Sequence, residues 1–202
     1  MITIHHLWPS QSERIVWLME ELGLPYELVW YRRPMPAAYL ALHPAATAPV
    51  VQDGDRTLCE SAAIIEYIVH KYAGGKFTVR PDQPNYYDYV YWMHFNNNLV
   101  GLFYAKALIG DRTEDRFAKT VVRREDGYAR MVEQRLAESP YLAGPEFTCA
   151  DIMTVFGLQH PGLLGKRDLP NARAYLARIA QRPAHIRAMQ IAGPDATPPT
   201  GT

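Results

Sequence analysis

Two hydrophobic spacings run along the chain, and the change from one to the other divides it. Residues 2–6 are short, β-branched and bounded by Pro9, the mark of a strand running into a turn. From Ser10 the period lengthens. Ile15, Leu18, Met19 and Leu22 recur at i, i+3, i+4 and i+7, one face of a helix that Gly23 and Pro25 stop. Ser10-Gln11-Ser12-Glu13 ahead of that face fits a capping box. Residues 26–31 are again aromatic and β-branched, so the order strand, helix, strand predicts a parallel pair with a crossover helix. Pro34 and Pro36 start a short helix to about Leu42, and residues 43–49 form a proline-rich loop without a period. Residues 50–52 return to strand character, Asp53-Gly54-Asp55 signals a hairpin turn, and residues 56–59 make the returning arm. Ser61 then opens a helix whose Ile64, Ile68 and Tyr72 share a face, ended by Gly74-Gly75. The predicted order is β, α, β, α, β, β, α.

Residues 76–84 contain Pro81 and Pro84 and neither period, which predicts a domain boundary. Everything beyond reads as helix, over residues 85–109, 113–136, 148–158, 171–180 and 183–191. The expected architecture is therefore an α/β domain over residues 1–76 and an all-α domain over 85–192. Residues 193–202 hold three prolines and nothing to bury, and are expected to be a mobile tail. Asn96-Asn97-Asn98 are poor helix formers, which leaves a solvated face, a kink or a polar lining as readings.

Composition narrows the function classes. The 202 residues carry 21 Lys and Arg against 21 Asp and Glu, so no basic field exists to hold nucleic acid or an anionic membrane. With 48% hydrophobic and 21% charged residues the chain matches a globular protein rather than a disordered one. Two cysteines, Cys59 and Cys149, build neither a disulfide framework nor a four-cysteine zinc site, and both read as buried thiols. No secretory signal pattern opens the sequence and no run of eighteen apolar residues occurs, so a cytoplasmic location without a spanning helix is expected. His5 and His6 are adjacent on a strand and point to opposite faces, so they do not chelate one metal together and read as structural. The cluster Tyr86, Tyr87, Tyr89, Tyr91, Trp92 and Phe95 lacks interleaved basic residues and reads as packing.

The predicted order is that of a thioredoxin-like domain with an attached helical domain. Residues Ile4-His5-His6-Leu7, Ser10-Gln11-Ser12-Glu13-Arg14 and Leu18 through Tyr26 resemble the opening of soluble bacterial and fungal glutathione S-transferases of the serine type. His43-Pro44, Ala48-Pro49-Val50-Val51 and Leu58 through Tyr67 look like that family's glutathione-binding hairpin and helix start. In the helical part, Tyr141 through Gly144 before Phe147-Thr148-Cys149-Ala150-Asp151 resembles its buried capping box. Arg182-Pro183-Ala184 with Arg187-Ala188-Met189 resembles its last helix.

The resemblance implies an enzyme that conjugates glutathione, its co-substrate, to a small apolar electrophile at the domain junction, without a metal and as a homodimer. Glutathione-dependent peroxide or disulfide reduction and noncatalytic glutathione binding remain open beside it. The chemistry needs a thiolate near neutral pH. A free thiol of pKa near 8.5 is only about 3% ionised at pH 7, and a lowering of roughly two units, worth about 2.7 kcal/mol, makes most of it thiolate. By resemblance Ser10 donates its hydroxyl to that sulfur, with Ser12 as the alternative; read from the residues alone, Ser10 is equally a helix cap. Pro49 is implied to be cis, with Ala48 pairing its main chain to the cysteinyl part of glutathione and Thr47 beside it. Glu60 and Ser61 are implied to bind the γ-glutamyl end, Ser61 and the helix amides for the carboxylate and Glu60 for the ammonium. Thr47 stands where relatives have a lysine toward the glycyl carboxylate, so Arg32 or Arg33 is a candidate substitute cation.

Overall fold

The computed structural model describes residues 1–110, 112, 114–159, 163–165 and 167–196. Strands β1 (Ile2–Trp8), β2 (Tyr26–Arg32), β3 (Val50–Asp53) and β4 (Arg56–Cys59) form one sheet in the order β2-β1-β3-β4. β1 and β2 are parallel across the crossover helix α1 (Glu13–Leu22), as the spacing predicts, and the β1–β3 and β3–β4 pairs are antiparallel. Two more helices follow, α2 (Ala37–Leu40) and α3 (Ser61–Tyr72). Ile4 and Leu7 of β1, Ile15, Leu18 and Met19 of α1, and Ile64, Ile65 and Ile68 of α3 are all completely buried. Each such side chain contributes roughly 1.5–3 kcal/mol by leaving water.

The capping box does not form. α1 begins at Glu13 with Ser12 as its N-cap, and no side chain caps it. Ser10 lies three residues before the first helical residue, in a turn, where its hydroxyl takes the Ser12 amide at 3.2 Å instead of the Glu13 amide. The serine signals are two residues apart, and side-chain direction in the turn decides between them.

The remaining helices are α4 (Tyr86–Ile109), α5 (Arg116–Glu138), α6 (Cys149–Gln159), α7 (Pro170–Ala180) and α8 (Pro183–Ala192). Thr113, where the period of α5 was expected to begin, lies outside the described residues. α4 passes unbroken through the three asparagines, because Asn96 turns into the interior while Asn97 and Asn98 stay exposed. Asn96 Oδ1 lies against Gly157 of α6, so close that a Cβ on Gly157 would sit 3.1 Å from it and 2.8 Å from Leu99 Cβ. Gly157 permits the close approach of α4 and α6.

Two compact units result, one of Met1–Phe77 with the residues from Ile179 onward and one of Thr78–Arg178. α8 thus groups with the sheet unit, whereas the sequence boundary puts it in the helical domain. Its partner is α1: Arg182 donates to both carboxylate oxygens of Glu21 at 2.6 and 2.7 Å, Arg187 to Glu20 at 2.7 Å, and the His185 ring meets Trp17 edge-on at 4.7 Å. The Gly193 carbonyl accepts from Trp8 Nε1 at 3.0 Å, so the expected tail is fastened at its start. Residues 197–202 of that tail lie outside the described residues.

Candidate active site

Strand register brings the expected site residues to one end of the sheet. β1 is antiparallel to β3 with His5 opposite Val50, so the exit of β1 lies beside the entry of β3. β3 is antiparallel to β4 with Val50 opposite Cys59, so the exit of β4 lies there too. The β1–α1 turn with Ser10 and Ser12, the loop residues Thr47, Ala48 and Pro49, and Glu60 and Ser61 at the start of α3 therefore share that end.

The turn itself is a buried polar chain. His6 Nδ1 and Ser12 Oγ are 2.7 Å apart, and Ser12 Oγ and Ser10 Oγ are 2.7 Å apart. Ser12 is wholly inaccessible and Ser10 nearly so, at 7% exposure. Ser12 Oγ is therefore enclosed between His6 and Ser10, and Ser10 Oγ is the outer hydroxyl of the chain. The amides of Ser12, Glu13 and Arg14 already have acceptors in the turn, namely Ser10 Oγ, the Ser10 carbonyl and the Gln11 carbonyl. These amides are engaged within the turn, and the Ser10 hydroxyl lies at its outer end.

A second link ties this turn to α3. The Arg14 guanidinium is buried, donates to Ser61 Oγ at 3.2 Å and also donates to Gln11 Oε1. Burial lowers Arg14 to about 9, against the raising influence of Glu13, and pushes the Glu13 carboxyl up to about 7. Burial also holds His6 neutral, its pKa lowered to about 4. Glu60 caps α3 with φ 69°, a left-handed conformation uncommon for a side-chain-bearing residue, and is exposed. Its carbonyl accepts the first α3 bond from the Ile64 amide at 2.9 Å.

The proline loop is pinned from below. The Ala48–Pro49 peptide is cis, as the resemblance implies, and so are Trp8–Pro9 and Arg33–Pro34. Tyr39, almost completely buried against Leu7 and Val50, donates its hydroxyl to the Thr47 carbonyl at 3.0 Å. Thr47 and Ala48 are half-buried and Pro49 is buried. The His43 Nδ1 accepts the Ala45 amide at 3.2 Å while its Nε2 lies 3.6 Å from Cys59 Sγ, which joins loop to β4. Cys59 is half-buried rather than buried, and burial followed by the nearby Glu60 charge pushes its thiol pKa up. Cys149 is buried as expected.

Of the candidate cations, Arg33 Nε donates to the Pro9 carbonyl at 3.2 Å, and the Arg32 guanidinium lies 5.5 Å from the Trp8 ring centroid. Both flank the turn that holds Ser10. Among the described residues no three His, Cys, Asp or Glu side chains converge as metal ligands, and no helix is long and apolar enough to cross a membrane. A cavity of about 220 Å³ in the helical unit, walled by Leu99, Leu102, Phe103 and Leu163, contains none of the sequence-predicted site residues.

The sequence reading takes His6 as structural and gives Arg14 no role. Ile2, Ile4 and His6 alternate on one face of β1 and all three are buried, so the period of two already marked His6 as a core histidine in need of a partner. Nothing in the helical period distinguishes a buried Arg14 from a solvated one.

The chain is similar to known proteins over most of its length. Residues 9–71 match the family model "Glutathione S-transferase, N-terminal domain", and residues 101–183 match "Glutathione S-transferase, C-terminal domain". Glutathione S-transferase 3 of Schizosaccharomyces pombe is 31% identical, over 91% of this chain and 85% of the relative. A glutathione S-transferase structure from Actinobacillus pleuropneumoniae superposes with a TM-score of 0.90 at 34% identity, covering 96% of this chain and 95% of the other. The theta class enzyme of Xanthomonas axonopodis pv. citri, solved with glutathione bound, gives 0.73 at 26% identity over 95% and 98% of the two chains.

Proposed function

The chain belongs to the glutathione S-transferase family, and from that premise we propose that it joins the glutathione thiolate to small apolar electrophiles, with Ser10 as the catalytic hydroxyl. The observation that carries this reading is the placement of the Ser10 hydroxyl. It is held by Ser12 in the first turn, at the same end of the sheet as Ala48, Glu60 and Ser61.

In this reading Ala48 offers its main chain to the cysteinyl segment beside the cis Pro49, with Thr47 held from behind by Tyr39. Ser61 and the first amides of α3 receive the γ-glutamyl carboxylate, and Glu60 receives the ammonium. Arg14 stands behind Ser61 as a buried positive charge that orients its hydroxyl. Arg32 and Arg33 supply the positive charge that Thr47 lacks. The sulfur proton leaves to water, the sulfur forms a bond to carbon, and the leaving group departs with its bonding electrons. A hydroxyl donated to the anionic sulfur stabilises the thiolate by about 1.5–3 kcal/mol, enough for the ionisation the reaction needs.

A homodimer belongs to the same proposal, and exposed Tyr87 and Tyr91 on α4 with Phe117 and Val122 on α5 are apolar surface available to it. Initial rates with an aryl halide, for the wild type and Ser10→Ala, test the function. Turnover by the wild type that falls at least tenfold in the variant supports it. Retention on immobilised glutathione without turnover of aryl halides replaces it by a binding role, and turnover of hydroperoxides alone moves the attack from carbon to oxygen.

A further inference from the structure

We propose that His6 is a positioning residue: it sets the direction of the buried chain from its Nδ1 through Ser12 Oγ to Ser10 Oγ, so that Ser10 presents its hydrogen to the thiolate. The inference rests on the catalytic reading of Ser10 above and adds the residue that makes that hydroxyl a donor.

Each link in the chain is 2.7 Å long, and Ser12 is sealed from solvent, so the hydroxyl directions are set inside the protein. Burial keeps the His6 ring neutral, so one of its nitrogens carries a proton and the other does not. If Nδ1 carries it, His6 donates to Ser12, Ser12 donates to Ser10, and the Ser10 hydrogen points away from the chain. If Nε2 carries it, every arrow reverses: Ser12 donates to Nδ1, Ser10 donates to Ser12, and only a lone pair faces the ligand. The Ser12 amide donates to Ser10 Oγ in both cases and does not choose between them.

The far nitrogen does not choose either. His6 Nε2 is buried without a hydrogen-bond partner among the described residues, and its ring neighbour is Trp30, edge-on at 4.5 Å. His5, one residue earlier, differs: its Nε2 lies 3.0 Å from Gln52 Oε1 and its Nδ1 lies 3.2 Å from the Tyr31 hydroxyl, so both nitrogens are spoken for. With nothing at Nε2, the group at the other end of the chain selects the tautomer. An anionic sulfur selects the donor arrangement, and each bond in the chain polarises the next. The thiol proton goes to water; where the ring changes tautomer it gives its Nε2 proton to solvent and takes one from solvent at Nδ1, while the two hydroxyls rotate to reverse their direction. Glu13 and Arg14, the charged groups buried in the same segment, titrate near 7 and 9, so each variant's thiol titration is read against the wild-type curve over the same pH range.

Nitrogen-15 spectra of the labelled full-length chain in complex with glutathione, above the titration of the bound thiol, are expected to show His6 protonated at Nδ1. Protonation at Nε2 in that complex overturns the proposal. The bound thiol is then titrated by its thiolate absorbance in His6→Phe, which fills the ring space without a donor, and in His6→Asn, whose amide can donate from the place of Nδ1. His6→Phe is expected to raise the thiol pKa by about one unit. This lowers kcat/KM about threefold near pH 7 and toward tenfold a unit or more below it, with KM for glutathione little changed, and the rate recovers at higher pH. His6→Asn is expected to stay near the wild type. A merely structural role lowers stability without moving the thiol titration, and an unmoved titration in folded His6→Phe removes His6 from the account while leaving Ser10 in place. A wild type that fails to ionise bound glutathione near neutral pH removes Ser10 and, with it, this proposal. If His6→Phe does not fold, the tautomer of the wild type decides alone.

Discussion

Each unit buries a polar cluster, and the two clusters use the same kinds of groups to opposite ends. In the helical unit Asp151 accepts from the Leu142 amide and the Tyr175 hydroxyl on one oxygen, and from the Thr148 amide and hydroxyl on the other, at 2.8–3.2 Å. The Thr148 hydroxyl in turn takes the Ala150 amide, so the capping box implied by the resemblance is present at α6. Burial raises the Asp151 pKa against the lowering effect of those four donors. Nothing in the cluster is left over for a ligand. In the sheet unit the cluster of His6, Ser10 and Ser12 is just as buried, yet one His6 nitrogen lacks a partner and the outermost hydroxyl has a hydrogen whose direction is not fixed. A saturated cluster holds the fold, and one with spare capacity is where binding chemistry belongs.

The largest effect is expected at the saturated cluster. Asp151→Ala strands the donors of Leu142, Thr148 and Tyr175 in the interior and should cost about 4 kcal/mol, read from the urea midpoint. A loss under about 1 kcal/mol erases the contrast. Ser10→Ala should do the reverse, changing stability by less than about 1 kcal/mol while lowering kcat/KM about 10- to 100-fold, or about 1.4–2.7 kcal/mol of transition-state stabilisation. A variant that unfolds readily and turns over normally reverses the assignment.

The sheet cluster should also show itself in the pH dependence of stability. His6, lowered from 6.5 to about 4, gives up stability as pH falls across that range, because the unfolded chain binds the proton first. Glu13, raised from 4.5 to about 7, gives up stability as pH rises across its range, because the folded chain binds the proton first. Between about 4.5 and 6.5 the two slopes oppose each other. Glu13→Gln leaves the His6 slope alone, so acidification across that window should cost the variant about 2 kcal/mol more than the wild type. Parallel pH profiles of the two proteins count against buried titration in this turn. The smallest effect is expected for Tyr39→Phe, which removes the bond to the Thr47 carbonyl and should cost about 1 kcal/mol, with a rise in KM for glutathione and no change in the thiol titration.

The sequence carries the two clusters to different depths. The strands, the crossover and the helices follow from period and turn residues. The grouping of Ser10, Ala48 and Ser61 comes from the resemblance alone, and the register that places Val50 opposite Cys59 gives the physical reason they share one end of the sheet. Thr148 and Asp151 are legible through the resemblance, which carries a capping box at this helix start. The different burial of Ser10 and Ser12 is not. They differ by two residues, both suit a helix start, and only the turn geometry sends one to the interior and leaves the other at its edge. Arg14 escapes for a related reason, since its partner Ser61 is 47 residues away and no local pattern announces the bond. α8 likewise reads as one more helix of the second domain until Arg182 and Arg187 meet Glu21 and Glu20.

The most direct test of the account is the ionisation of glutathione in the site, followed by its thiolate absorbance against pH in the wild type and in Ser10→Ala. The account predicts that bound glutathione in the wild type titrates about two units below the free thiol value near 8.5, and that loss of the Ser10 hydroxyl moves it back by at least about one unit. A bound thiol that titrates like free glutathione in the wild type, or that is equally acidic without the Ser10 hydroxyl, contradicts it.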